Sequence, residues 1–148
     1  RSKVLNNLKQ NSKLTIDDYV IEQNEKPEEV SYEVYSSYDY TWTILALNNV
    51  YSIHNDWYVP PEILDRKILH EFGDGTGSIE VAYKNAQDKI VSYYDVYGYE
   101  VSSTDRQIDK TVSAFDRIME ENERKRYIKV FSPTIIRRIQ ADFESDLR

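Results

Sequence analysis

The stretch PEEVSYEVYSSYDYTWTILALNN, residues 27–49, indicates the fold because it contains two consecutive amphipathic helices. Pro27 followed by two glutamates is typical of a helix start. Proline needs no N–H partner there, and carboxylates are stabilised near the positive end of the helix dipole. The spacing of apolar residues then predicts a helix over 28–37. Val30 and Val34 lie on its apolar face, and Tyr38 continues the same spacing just after its end.

A second helix is predicted over residues 40–49, directly after the first. Trp42 and Leu45 lie on its most apolar side, so they are expected in the core. Asn48 and Asn49 follow at its end, where asparagine side chains commonly satisfy free backbone groups. We expect these two residues to cap the helix and to hold the next loop.

The rest of the chain alternates between helical and strand patterns, which predicts an α+β protein. The elements predicted around the two central helices are a strand at 14–22, helices at 61–72 and 79–86, a hairpin of 89–95 with 99–102, a helix at 112–122, a strand at 127–131 and a helix at 133–148.

Three segments are predicted from these patterns. Residues 1–13 are polar and are expected to form an arm or linker. Residues 14–73 form a first unit, and residues 74–148 form a hairpin-and-helix extension that packs on partners. The glycine-rich stretch GDGTG, residues 73–77, marks the boundary between them, since glycine clusters typically form turns.

Composition excludes several classes of function. The net charge is −7, which argues against sequence-independent binding to DNA or to an anionic membrane. The chain has no cysteine and only two histidines, so thiolate chemistry is excluded and a histidine-rich metal site has almost no ligands. Neither a nucleophile motif nor a cofactor motif is present, so we predict a non-enzymatic protein without a cofactor.

Two patterns could be mistaken for binding sites. GDGTG resembles a phosphate-binding loop, but it lacks the Lys-Ser/Thr pair of a P-loop, and a dinucleotide loop would not have Asp74 at its centre. A flexible turn is the favoured interpretation. His54 and His70 have no second histidine at metal-ligand spacing, so we expect both to be solvated.

Aromatic and apolar residues instead point to protein partners. The chain has 13 tyrosines, and tyrosine is enriched in protein interfaces. Trp57, Tyr58 and Tyr38 lie in loops or helix junctions, so they are predicted to form a docking face. The last helix is too short to be stable alone, so its apolar stripe must be covered. We expect Arg137 and Arg138 to be solvated, and a partner chain to cover at least part of the stripe of Ile136, Ile139 and Phe143.

The sequence also resembles a known family. The strand YVIE at 19–22, two tight helices and a terminal asparagine resemble the βααβ LysM module, and the wider pattern is similar to the LysM-like baseplate wedge proteins of contractile-tailed, T4-like phages. The segments that carry this resemblance are PEEVS (27–31), W-x-I-L-x-x-N-N (42–49), DWYVP (56–60), SYYDVYG (92–98) and the charged run, strand and proline at 122–133.

The resemblance covers about residues 15–148 and implies a structural virion protein in the tail baseplate, assembled late in the host cytoplasm. Such proteins tie neighbouring wedges together in a sixfold baseplate, and they contact the core-bundle wedge proteins and the small sheath-like wedge subunit. The sequence departs from the family pattern at residues 92–98, where family members often have two histidines. The alternatives are a peptidoglycan-binding LysM module and an unrelated scaffold domain. Glycan binding is disfavoured because the first loop, 22–25, has no glycine and two charges.

Overall fold

The computed structural model describes residues 16–147. The predicted arm at 1–13 and the first residues of the strand predicted at 14–22 lie outside this part of the chain. The described residues contain seven helices and five strands, which confirms the α+β class. In chain order the elements are β1 (Ile16–Val20), α1 (Pro27–Tyr35), α2 (Thr41–Leu47), α3 (Ile53–Asp56), α4 (Pro61–Phe72), α5 (Ile79–Asp88), β2 (Ile90–Tyr94), β3 (Glu100–Val101), β4 (Lys110–Ser113), α6 (Ala114–Arg124), β5 (Tyr127–Phe131) and α7 (Ile136–Asp146).

The described chain divides into two compact units. The first consists of residues 16–58 and 125–147, and the second consists of residues 59–124. This division differs from the predicted boundary at residue 73. The physical reason is long-range pairing: β1 pairs with β5, so the end of the chain belongs with its beginning.

The first unit is built on a two-stranded antiparallel sheet. The register runs from Ile16 opposite Phe131 to Val20 opposite Tyr127. One core cluster of this unit joins the sheet to α1 and α2 and contains the buried residues Ile21, Val30, Ile44, Trp57, Ile128 and Val130. A second cluster joins α2, β5 and α7. The order of elements in this unit is therefore β1, α1, α2, the short helix α3, β5 and α7, with residues 59–124 inserted between α3 and β5.

Local signals explain the helix ends in this unit. Pro27 occupies the first position of α1, as predicted, and the Glu29 carboxylate accepts a hydrogen bond from the Lys26 N–H at 2.7 Å. The helix ends at Ser36, whose φ of 56° is left-handed and whose N–H donates to the Tyr32 carbonyl at 2.8 Å. Left-handed residues commonly end helices in this way.

The second unit contains a three-stranded antiparallel sheet of order β3-β2-β4 and three helices: α5 and α6 contact β4, and α4 packs on α5. Its core brings Leu64 and Ile68 of α4 against Ala82 and Ala86 of α5. The predicted hairpin is confirmed as β2 and β3. Ser78 caps α5, since its hydroxyl oxygen accepts a hydrogen bond from the Val81 N–H at 3.4 Å. The helix predicted at 112–122 starts later, because residues 110–113 form β4 beside β2.

The glycine turn lies within the second unit and connects α4 to α5, which pack on each other. It is therefore a turn between helices and not an interdomain boundary. Asp74 Oδ1 accepts hydrogen bonds from the backbone N–H and the Oγ1 of Thr76, at 3.0 and 2.6 Å. These bonds lower the pKa of the Asp74 carboxyl below its ordinary value. The loop thus satisfies the Thr76 N–H with its own carboxylate, in the position a phosphate would need.

Candidate functional site

Trp57 lies in the core of the first unit and not on a docking face. Only 4% of its surface is exposed, and its Nε1 donates to the Glu25 carbonyl at 2.9 Å. The predicted loop around it contains α3, and the Asp56 carboxylate accepts hydrogen bonds from the N–H groups of Tyr51 and Ser52, each at 3.0 Å. This closed turn directs the indole inward. The prediction that Trp57 contacts a partner is corrected accordingly.

The last helix is also covered by its own chain. Ile136 and Ile139 are buried together with Leu47 and Phe131. The prediction that a partner covers these two isoleucines is therefore corrected: α7 completes the second core cluster of the first unit. Arg137 and Arg138 are exposed, which confirms their predicted solvation.

Phe143 and Trp42 remain partly accessible. Their ring centroids are 4.5 Å apart, and Trp42 Nε1 donates to the Gln140 side chain at 3.0 Å. Both rings are half-buried, as is Leu45 on the same helix as Trp42. Trp42 therefore anchors α7 to α2 at the margin of the second core cluster, and the pair leaves part of its aromatic surface accessible.

Asn48 and Asn49 take different roles at the end of α2. Asn48 Nδ2 donates to the Ile44 carbonyl at 2.8 Å, and the same side chain forms two further hydrogen bonds with the backbone of Lys129. Asn49 is exposed and has a φ of 55°, a left-handed conformation that asparagine tolerates well. Asn48 therefore holds a distant strand, where we expected it to hold the next loop.

Tyr38 and Tyr58 differ in exposure. Tyr38 is 60% exposed, and its ring stacks on that of Tyr32 at a centroid separation of 4.9 Å. Tyr58 is half-buried against the first core cluster, with the Arg126 guanidinium 5.6 Å from its ring centroid. Of the residues predicted to contact partners, Tyr38 is therefore the most available.

Two other tyrosines of this unit are structural. The Tyr35 hydroxyl donates to the Phe131 carbonyl at 2.6 Å, and burial raises the pKa of this phenol above its ordinary value. The Tyr19 hydroxyl donates to the Glu25 carboxylate at 2.6 Å. Its pKa is raised as well, first by burial and then by that bond. Both phenols therefore act as neutral hydrogen-bond donors that hold the unit together.

A pair of exposed tyrosines in one turn was missed from the sequence. The turn between β2 and β3 exposes Val96, Tyr97 and Tyr99, and the two tyrosines are 80% and 71% exposed. Asp95 orders this turn, because its Oδ1 accepts from the N–H groups of Tyr97 and Tyr99 at 2.9 and 3.0 Å. The motif DVYGY could have indicated it, since an aspartate opens the turn and a glycine lies between the two exposed tyrosines.

The part of the chain that the structure describes offers no cluster of metal ligands. His54 and His70 are exposed on α3 and α4. Within residues 16–147, no group of three or more histidine, aspartate or glutamate side chains is placed to hold a metal ion. Over the same range, no helix combines the length and the hydropathy that a membrane crossing requires.

Comparison with known proteins shows the family. No curated protein matches the chain. Residues 3–106 match the family described as base plate wedge protein 53, and this match covers more than half of the 148 residues. The family is structural, which implies a non-enzymatic role in the tail of the virion. The chain therefore belongs to the base plate wedge protein 53 family and is a structural protein of the phage baseplate.

Proposed function

We propose that this protein ties neighbouring wedge subunits together during assembly of a contractile-tail baseplate. A protein that joins two neighbours needs at least two separate binding surfaces. Each compact unit offers one: the stacked Tyr32 and Tyr38 in the first unit, and the turn at Tyr97 and Tyr99 in the second. Exposed tyrosines are favourable interface residues because they contribute a large contact area at low entropic cost.

The ordered turn of the second unit is the observation that carries this proposal. Asp95 N–H donates to the Tyr99 carbonyl at 3.0 Å, and the Gly98 N–H donates to the Asp95 carbonyl at 3.1 Å. Gly98 has a φ of 82°, which favours glycine at that position. A turn that is already ordered loses little further entropy when a partner covers its side chains. Such a site suits an anchor residue of a permanent assembly.

The partners in this proposal are those that the resemblance implies, namely the core-bundle wedge proteins and the small sheath-like subunit, in several copies around a sixfold axis. Tyr38, Tyr58 and Phe143 remain candidate contacts because each keeps accessible ring surface. The pairing of β1 with β5 around α1 and α2 supports a LysM-like arrangement with β5 as the closing strand, to which the first unit adds the short helix α3 and the terminal helix α7.

Glycan binding, the competing function, is less well supported. In a LysM module the sugar binds between the first loop and the loop after the second helix. Here the Trp57 indole, which lies just after α3, joins those two loops through its hydrogen bond to Glu25. Because Trp57 is buried there, its indole offers no exposed ring face on which a sugar could stack.

The test is complementation of a phage that lacks this gene. We expect the double variant Tyr97→Ser/Tyr99→Ser to keep the melting temperature of the wild type, because both rings are exposed. In infected cells the double variant should still allow single wedges to form. Complete baseplates, counted by electron microscopy, should be lost. Tyr127→Ser removes another exposed tyrosine and serves as the control. Normal numbers of complete baseplates with the double variant would contradict the proposal.

A further inference from the structure

One edge of β1 carries backbone groups that no other strand of residues 16–147 pairs with. The Ile21 N–H donates to the Arg126 carbonyl at 2.8 Å, so Ile21 and Arg126 form a hydrogen-bonded pair of the β1–β5 ladder. Along two antiparallel strands, hydrogen-bonded residue pairs alternate with non-hydrogen-bonded residue pairs. Asp18 and Val20 belong to non-hydrogen-bonded pairs, so their N–H and C=O groups point away from β5. The opposite edge of the sheet differs, since the Asn48 side chain binds both polar groups of Lys129 there.

A groove of about 880 Å³ lies beside this edge. It is lined by β1, the loop 22–25 and α1, and no lysine or arginine is among its lining residues. Its carboxylates belong to Asp18, Glu22, Glu25, Glu29 and Glu33. Three of them have partners within the unit: Asp18 pairs with Lys129, Glu25 accepts from Tyr19, and Glu29 accepts from the Lys26 N–H. The groove keeps a strong excess of negative charge.

The stacked tyrosines complete the groove. Tyr32 and Tyr38 both line it, and their exposed fractions are 53% and 60%. A lysine or arginine side chain can lie along such rings and place its charge near the carboxylates. Backbone groups, negative charge and aromatic faces thus line one groove.

We propose that the β1 edge binds an extended, lysine- and arginine-rich segment of a partner protein as an added strand. In this binding mode the main chain supplies hydrogen bonds and alternate side chains supply specificity. Every second side chain of the added strand faces the groove, so its basic residues alternate with small polar ones. The inference rests on the proposed function, because it names the chemistry of one partner surface. A free strand edge without such a partner would also be a risk for aggregation.

The test uses three synthetic peptides and the full chain. The first alternates lysine with threonine over seven residues, the second replaces each lysine by glutamate, and the third is the lysine peptide N-methylated at alternate backbone nitrogens. Fluorescence anisotropy should show binding of the lysine peptide, weaker at high salt, and none of the glutamate peptide. Because N-methylation removes the N–H donors of the ladder hydrogen bonds, the N-methylated peptide should bind at least about tenfold more weakly.

Matched variants locate the site. Glu29→Gln/Glu33→Gln removes two charges from the groove, keeps the acceptor that bonds the Lys26 N–H, and should weaken binding of the lysine peptide severalfold. Glu62→Gln/Glu80→Gln makes the same charge change in the second unit and should leave binding unchanged. The hairpin variant Tyr97→Ser/Tyr99→Ser should also bind the peptide normally, so failure of this inference is distinguishable from failure of wedge joining.

Three results would overturn the proposal. Equal binding of the N-methylated peptide would show attraction by charge without an added strand. Binding that requires removal of residues 1–13, which contain four basic and no acidic residues, would make that segment the occupant of the edge. A dimer of the chain that the lysine peptide dissociates would identify a second copy as the occupant.

Discussion

The side chain of Asn48 pairs with the backbone of Lys129, 81 residues further along the chain. Nδ2 donates to the Lys129 carbonyl at 2.7 Å, and Oδ1 accepts from the Lys129 N–H at 2.8 Å. The amide thus makes the two hydrogen bonds that a neighbouring strand would make. It joins the end of α2 to β5 and occupies the edge of the sheet that α2 faces.

Asn48→Ala should lower the free energy of unfolding by about 1–3 kcal/mol, because it leaves both Lys129 groups and the Ile44 carbonyl with fewer partners. Asn48→Asp keeps the acceptor and loses the donor, so we expect an intermediate loss. Urea denaturation measures both. Asn55→Ala changes an exposed asparagine in α3 and should stay within about 0.5 kcal/mol of the wild type. Equal stability of Asn48→Ala and Asn55→Ala would contradict this role of Asn48.

Trp57→Ala should lower the free energy of unfolding by about 3–5 kcal/mol, the usual cost of truncating a buried large aromatic residue. Trp57→Phe keeps much of the packing and removes the hydrogen bond to Glu25, so its loss should be smaller. Chemical denaturation followed by circular dichroism separates the two variants. A Trp57→Ala protein as stable as the wild type would contradict the assignment of Trp57 to the core.

The helices of this protein were predictable because their signals are local. Pro27 and Pro61 start α1 and α4 as expected, and Ser78 caps α5. Each of these signals acts within one turn of the helix that it starts. Periodicity of apolar residues correctly identified Ile136 and Ile139 as the buried face of α7. In α2 it indicated Trp42 and Leu45, which are only half-buried, whereas Thr43, Ile44 and Leu47 are buried.

The site was less predictable because it depends on contacts between distant residues. Trp57 was assigned to a surface because its segment has no helical spacing of apolar residues. The hydrogen bonds of Asp56 that turn the indole inward do not depend on such a spacing, so the sequence pattern does not reveal them. Ile136 and Ile139 were assigned to a partner because pairing of β1 with β5 could not be read from either strand alone. An amphipathic stripe shows that a face is covered, but not by which chain.

Acid should remove a specific contribution of Asp56 to stability. Hydrogen bonds from the Ser52 and Tyr51 N–H groups lower the pKa of the Asp56 carboxyl below its ordinary value of about 4. A lowered folded pKa stabilises the fold above the unfolded pKa, and this contribution is lost as the pH falls through the folded value. Asp56→Asn should therefore be less stable than the wild type at neutral pH, and the difference should shrink below about pH 4.

Urea midpoints at neutral pH and at pH values below about 4 measure this difference. Asp142→Asn removes an exposed carboxylate of α7 and controls for the change in net charge. A gap between wild type and Asp56→Asn that stays constant across the acid range would show that the Asp56 charge contributes nothing.

The last helix should prove to be part of the first unit's own core. Ile139 is 1% exposed and packs with Leu47, Phe131 and Ile136, so Ile139→Ala should lower the free energy of unfolding by about 2–5 kcal/mol. Arg138→Ala changes the exposed neighbour and should stay within about 0.5 kcal/mol of the wild type. Deleting residues 133–148 would uncover Phe131, so the truncated chain should melt well below the full chain even without partners. A helix held only by a partner behaves in the opposite way, since its removal leaves the melting curve of the isolated protein unchanged while abolishing assembly.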